Sequence, residues 1–145
     1  MDTDNILNYN FPFNLKNGII LPFNIYDPIK KIEYPLSGLL DTGFTGFCGI
    51  STQLAQELQL TALDIKSLGI NLPINEDAIL GDNSTIKTKM YYGQISFAGK
   101  LIKSWVSSID NGSTLLGLGF LMSLEGKTII SQNIITFDME NENEL

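Results

Sequence analysis

The sequence predicts an all-β protein, and three observations indicate this. Most of the chain consists of short runs rich in apolar and β-branched residues, each bounded by turn-forming residues. Segment 75–99 alternates apolar and polar residues as half-buried strands do, and its apolar members are Ile79, Ile86, Met90, Tyr92, Ile95 and Phe97. Before the C-terminal third, a single stretch has the apolar spacing of a helix.

The first predicted elements are a hairpin and a helix. Segments 18–26 and 31–40 flank the turn dipeptide Asp27-Pro28, so they are expected to form a hairpin that ends at Asp41. A helix is then predicted up to Leu60. Ser51 is its expected N-cap, and its apolar face is formed by Leu54, Ala55 and Leu58.

The rest of the chain is predicted to be strands around one short helix. Segment 75–99 should form a hairpin with a break at Gly93, and its turn is Gly81, Asp82, Asn83 and Ser84. Strands are expected at 101–109 and 128–137, with a short helix that starts near Gly119. The 145 residues, 43% of them hydrophobic, are expected to form a single domain, 1–145. Residues 1–14 would be an N-terminal arm, and residues 139–145 an acidic C-terminal tail.

Charge and composition exclude several kinds of function. The net charge is −7, but six of the sixteen acidic residues lie near the two ends of the chain. The remaining ten are nearly balanced by nine lysines, so the body is close to neutral and no basic patch for nucleic acid is expected. The chain has no histidine, which excludes Ser-His and Cys-His nucleophiles and histidine zinc sites within it. The single Cys48 is interpreted as a small buried hydrophobe, and its lack of a disulfide partner favours a reducing, cytoplasmic location. No apolar run is long enough to span a membrane, and the membrane is not expected to be a partner of this protein.

The most informative motif is Leu39-Leu40-Asp41-Thr42-Gly43, in which two apolar residues run directly into an Asp-Thr-Gly turn. A carboxylate at the end of a buried strand is costly unless hydrogen bonds or chemistry use the group. The same tripeptide could also be only a connection between two strands, since all three residues form turns well. A small β-barrel with Asp41 as a turn residue therefore stays open as an alternative.

A second motif lies about seventy residues later, where the apolar pair Leu115-Leu116 precedes Gly117 and a short helix start. With both motifs, the sequence resembles the retropepsin-like single-domain aspartic proteases over residues 15–138. Small prokaryotic members carry a phrase close to Ile-Asp-Thr-Gly-Phe-Thr-Gly-Phe, and here residues 40–47 read Leu-Asp-Thr-Gly-Phe-Thr-Gly-Phe.

The resemblance implies the retropepsin-like acid-protease fold, a closed β-barrel-like domain with a flap hairpin and one or two short helices. It implies that Asp41, Thr42 and Gly43 are the catalytic motif. The flap tip would be Gly81, Asp82, Asn83 and Ser84, and the loop would be supported by Leu115, Leu116 and Gly117. Asparagine at position 83 and glycine at position 119 depart from the family pattern.

The implied activity is hydrolysis of a peptide or protein by water held between two aspartates. Since the chain has one Asp-Thr-Gly, and neither Asp110 nor Asp138 stands in such a motif, the second aspartate must come from another copy in a homodimer. No metal or organic cofactor is expected. A second hypothesis is a retropepsin-like dimerisation or peptide-binding module with weak or no catalytic activity.

Overall fold

The computed structural model describes residues 6–63, 77–79 and 85–140, and it confirms the all-β prediction. The strands in these ranges are β1 (Ile6–Pro12), β2 (Ile20–Asp27), β3 (Ile32–Leu40), β4 (Cys48–Ser51), β5 (Asp77–Ile79), β6 (Thr85–Lys87), β7 (Lys89–Tyr91), β8 (Gln94–Phe97), β9 (Lys100–Ile102), β10 (Val106–Ile109), β11 (Leu115–Leu116), β12 (Lys127–Ile130) and β13 (Ile134–Glu140). The helices are α1 (Thr52–Glu57) and α2 (Leu118–Met122). None of the helices described is both long and apolar enough to cross a membrane.

The predicted hairpin before Asp41 is confirmed as β2 and β3. The two strands pair antiparallel from Ile20 opposite Leu39 to Asp27 opposite Ile32. Asp27 is fully buried at the turn, where its Oδ1 accepts hydrogen bonds from the amides of Ile29 (2.9 Å) and Lys30 (3.1 Å). This side chain replaces backbone partners that the turn cannot supply.

The hairpin belongs to an eight-stranded sheet in the order β7-β10-β4-β11-β3-β2-β8-β9. The expected closed barrel is not formed, because hydrogen bonding among the described strands ends at β7 and β9. The chain itself bridges much of the gap, since β7 runs into β8 through Tyr92 and Gly93. Gly93 lies against the side chains of Val106 in β10 and Ile25 in β2, so the sheet curls around its core at this point.

A second, three-stranded sheet has the order β1-β13-β12. It joins the core through aromatic rings: Phe97 of β8 lies 5.5 Å from Phe11 of β1 and 5.2 Å from Phe137 of β13, between ring centroids. Phe120 of α2 contacts the same Phe97 ring at 5.1 Å. Residues 6–12 of the predicted N-terminal arm are thus strand β1, packed against the body of the protein.

Two segments predicted as single strands are divided in the structure. The prediction 128–137 was wrong in this respect, because Ser131 donates its amide to the carbonyl of Ile134 (2.9 Å) and closes a tight hairpin between β12 and β13. The single strand predicted at 101–109 is divided into β9 and β10, with Ser104 between them. Its hydroxyl accepts from the amide of Ile95 (2.9 Å) and donates to the carbonyl of Ile102 (2.8 Å), so a side chain replaces the strand ladder there.

The predicted cap of the first helix is confirmed, since the hydroxyl of Ser51 accepts from the amide of Leu54 (3.0 Å). The helix α1 ends at Glu57, three residues before the predicted end at Leu60. Strands β5 and β6 pair antiparallel, as the hairpin prediction requires. The predicted flap tip, Gly81, Asp82, Asn83 and Ser84, lies outside the described residues.

Candidate active site

Asp41 follows the last residue of β3 and is half-buried. The backbone that leads into it is fixed, because Leu40 donates its amide to the carbonyl of Ile19 (2.8 Å) and Asp41 donates its own to the carbonyl of Leu116 (2.9 Å). The sheet therefore positions the carboxylate at the end of a strand.

Leu115 and Leu116 form the two-residue strand β11 between β3 and β4. The strand is parallel to β3, with Leu115 opposite Leu39 and Leu116 opposite Leu40. It is antiparallel to β4, and Leu116 is fully buried. The two motifs found about seventy residues apart in the sequence are therefore neighbours in one sheet.

The Asp-Thr-Gly segment is a tight turn closed by Asp41 itself. Its Oδ1 accepts from the amide of Gly43 (2.9 Å), and its carbonyl accepts from the amide of Phe44 (3.1 Å). Asp is favoured in this arrangement because its short side chain reaches the backbone two residues later. The side chain of Thr42 is exposed at the tip of the turn.

The start of α2 holds the remainder of this loop. Gly117 donates its amide to the carbonyl of Phe47 (3.0 Å), Leu118 to that of Phe44 (2.7 Å) and Gly119 to that of Gly46 (3.1 Å). Three loop carbonyls thus receive three donors from one short segment. The predicted neighbourhood of Leu115, Leu116 and Gly117 to the Asp41 loop is present in the structure.

Phe44 was not predicted to be part of this support. Its ring packs over the backbone of Gly46, Gly49 and Gly117, none of which has a side chain to displace it. A Cβ atom at Gly46 would lie 2.6 Å from the Cζ of this ring. Part of the signal was present in the sequence, since an aromatic residue precedes glycines at the second and fifth following positions.

Gly119, one of the two departures from the family pattern, also lies against the loop. A Cβ atom there would be 3.0 Å from the carbonyl oxygen of Gly46 and 3.1 Å from that of Thr45. The other departure, Asn83, lies outside the described residues.

Cys48 lies directly behind the loop in β4 and is fully buried. Burial raises the pKa of its thiol from 9.0 to about 12, because the thiolate would have to form in apolar surroundings. The interpretation of Cys48 as a buried hydrophobe is confirmed. Beside it, the rings of Phe47 and Trp105 meet edge to face, with centroids 4.8 Å apart.

No second aspartate of the chain can join Asp41 from the other positions that the sequence raised. Strand β10 is parallel to β4, and both run antiparallel to β11 and β3. Asp110 follows β10 and Asp41 follows β3, so the two aspartates lie at opposite ends of the strands. Asp138 lies in β13, where its Oδ1 accepts from the amide group of Asn8 (2.6 Å). Within the ranges described, no three acidic or cysteine side chains converge as a metal site would require.

Comparison with known proteins agrees with this architecture. No family model matches the chain, and no curated protein matches its sequence. Among solved structures, it is similar to a retropepsin-like aspartic protease from Rickettsia conorii, with a TM-score of 0.56 and 14% sequence identity. The match covers 94% of this chain and 94% of that one. The chain therefore has the fold of a retropepsin-like aspartic protease.

Proposed function

We propose that this protein is an aspartic endopeptidase that acts as a homodimer, with one Asp41 from each subunit in a shared active site. The observation that carries the proposal is the placement of Asp41 at the end of β3, in a turn held by Leu116 and the start of α2. A simple surface turn needs no such support. Here the eight-stranded sheet and the start of α2 both bind the backbone of the loop that carries the carboxylate.

The proposed reaction is hydrolysis of a peptide bond. A water molecule lies between the two Asp41 carboxyl groups, of which one is ionised and one protonated. The ionised group takes a proton from the water as its oxygen attacks the scissile carbonyl carbon, while the protonated group donates a hydrogen bond to the carbonyl oxygen. The tetrahedral intermediate then loses the amine, which takes the proton that the first carboxyl group removed from the water as the C–N bond breaks.

The single motif is the reason for a dimer. Two-fold symmetry presents the same surface from both copies, so one Asp-Thr-Gly turn is enough to supply two carboxylates. Thr42 is exposed at the tip of that turn, and its hydroxyl would tie the two loops together across the axis. Gly43, also exposed, would let the loops approach.

The substrate would be an extended peptide or protein segment. The hairpin of β5 and β6 is placed in the chain where the resemblance predicts a flap, with Gly81–Ser84 as its tip. Backbone groups of the flap and of nearby strands would pair with the substrate. The cytoplasmic location stays a prediction from the single cysteine.

The test is cleavage of a peptide library by the wild-type protein and by Asp41→Asn, which keeps the shape of the side chain and removes its acid-base chemistry. We expect cleavage by the wild type only, with unchanged circular dichroism and thermal unfolding in the variant. Asp110→Asn is the matched control and should cleave like the wild type, because Asp110 lies at the opposite end of the strands from Asp41. Equal cleavage by Asp41→Asn would overturn the proposal. Peptide binding without cleavage by the wild type would favour the binding module instead.

A further inference from the structure

Strand β12 (Lys127–Ile130) is an edge strand that is exposed on both of its faces. Within the described part of the chain it pairs only with β13, and all four of its residues are exposed. Edge strands that stay unpaired are usually protected by charge, proline or a bulge. Here one lysine is followed by Thr-Ile-Ile, which is a sequence suited to strand pairing.

The apolar core continues to this edge and ends uncovered. Ile130 lies opposite Ile135 of β13, and directly opposed residues of an antiparallel pair share one face of the sheet. Ile135 is fully buried and belongs to the core, whereas Ile130 is 59% exposed. On the other face, Ile129 is 42% exposed. Both faces of the edge therefore present isoleucine to solvent.

The hairpin fixes which backbone groups of β12 point outward. Ser131 and Ile134 are a hydrogen-bonded pair, as the 2.9 Å bond between them shows. Since hydrogen-bonded and non-hydrogen-bonded pairs alternate in an antiparallel ladder, Ile129 bonds to β13, and Thr128 and Ile130 do not. The amide and carbonyl groups of Thr128 and Ile130 are thus directed to the free edge.

We propose that β12 pairs antiparallel with β12 of a second copy, across a two-fold axis that passes between the two Ile129 residues. The inference rests on the proposed homodimer and assigns its contact surface. The resulting sheet has six strands, in which β12 of each copy is covered by the other. Strand β12 of the second copy would accept and donate hydrogen bonds to the outward backbone groups of Thr128 and Ile130. It would also cover apolar surface of the exposed Ile129 and Ile130.

One register uses the outward groups of the strand fully. If Thr128 faces Ile130 of the second copy, symmetry repeats the pair and four backbone hydrogen bonds form within β12 alone. Lys127 then faces Ser131 of the second copy, so no like charges are opposed. A register with Thr128 opposite itself needs Gly126, whose backbone is already packed against Asp138. A register with Ile130 opposite itself leaves Thr128 against the hairpin loop.

The axis makes a specific prediction for crosslinking. Ile129 of the two copies form a non-hydrogen-bonded pair, whose Cα atoms lie about 4.5 Å apart, within the range of about 4.4 to 6.8 Å that a disulfide spans. Ile129→Cys should therefore form a disulfide-linked dimer under mild oxidation. Lys127→Cys is the matched control on the same face. It should form no disulfide-linked dimer, because its partner in this register is Ser131 of the second copy. The native Cys48 is fully buried and will not interfere.

A second variant tests the backbone bonds. Thr128→Pro removes an amide that makes no bond to β13, so the hairpin should persist, whereas the dimer should dissociate in analytical ultracentrifugation. Efficient crosslinking by Lys127→Cys, or a dimeric Thr128→Pro variant, would overturn the assigned surface or register. In that case the wild-type protein would still be a dimer that cleaves peptide. A wild-type protein that is monomeric and fully active would instead overturn the proposed homodimer, and the surface with it.

Discussion

Gly117 and Phe44 are in backbone contact across about seventy residues of sequence. A Cβ atom at Gly117 would lie 2.5 Å from the carbonyl oxygen of Phe44, and nearer still to the carbonyl oxygen of Gly46. Both obstacles are backbone atoms of the loop that carries Asp41, so they cannot rotate away as a flexible side chain would. The loop and the start of α2 fit together only with glycine at this position.

Gly117→Ala should therefore destabilise the protein by overpacking, at a cost of about 1–3 kcal/mol or more in the free energy of unfolding. Gly49→Ala is the matched control, since Gly49 is also buried but the nearest atoms are side-chain carbons of Phe44 at 3.4 Å. Urea unfolding can be followed by the fluorescence of Trp105, the single tryptophan. Equal stability of the two variants would contradict the close approach.

Asp27 is expected to matter for stability and not for cleavage. Asp27→Ala leaves the amides of Ile29 and Lys30 without their acceptor, which should lower the free energy of unfolding by about 1–3 kcal/mol. Asp27→Asn keeps an oxygen acceptor and loses mainly the 3.6 Å ion pair with Lys30, so its loss should be smaller. Folded samples of both should cleave peptide like the wild type, because Asp27 lies at the far end of the hairpin from Asp41. Reduced cleavage by a folded variant would contradict this.

Cys48 should be unreactive toward a thiol reagent at pH 8 in the native protein and fully reactive in urea. Its pKa is about 12 in the folded chain against 9.0 for an ordinary thiol, so folding favours the protonated form. This contribution to stability is complete below about pH 9 and is lost as the pH rises toward about 12. The stability difference between the wild type and Cys48→Ala should shrink over that range. Rapid modification of the native protein would show that the thiol is accessible.

Under the proposed mechanism, specific activity should fall when the protein is diluted, because only a homodimer would hold both Asp41 carboxylates. Far below the dimer dissociation constant, the dimeric fraction falls in proportion to concentration, so a tenfold dilution should lower specific activity roughly tenfold. Sedimentation at matched concentrations provides the independent measure of the dimer. Activity that stays constant while the dimer dissociates would assign the chemistry to one chain.

Local sequence signals predicted the elements that local physics determines. The hairpin before Asp41 followed from Asp27-Pro28 between two apolar runs, and the start of α1 followed from the capping residue Ser51. The neighbourhood of Leu115-Leu116-Gly117 to the Asp-Thr-Gly turn followed from a family resemblance, since nothing local joins segments so far apart in the chain.

The parts that were not predicted depend on distant contacts. Strand β1 exists because it pairs with β13, Tyr9 opposite Phe137, and a segment rich in asparagine gives little local signal for this. The division between β12 and β13 is the exception, because the bond from Ser131 to Ile134 is local, but the polar stretch that it closes has no glycine or proline to indicate a turn. The role of Phe44 depends on Gly117, which comes from the other half of the molecule.

Because β11 lies between β3 and β4, the loop that carries Asp41 can complete its folding only after residues 115–119 have been synthesised. The segment that carries Asp41 is made early in synthesis, but the amide of Asp41 bonds to Leu116 and the loop carbonyls bond to Gly117, Leu118 and Gly119. A ribosome-bound chain that has not yet extruded this segment lacks those donors, and contacts at such sequence separation form slowly. The proposed catalytic centre would therefore be assembled late, and an unfinished chain would not cleave its neighbours.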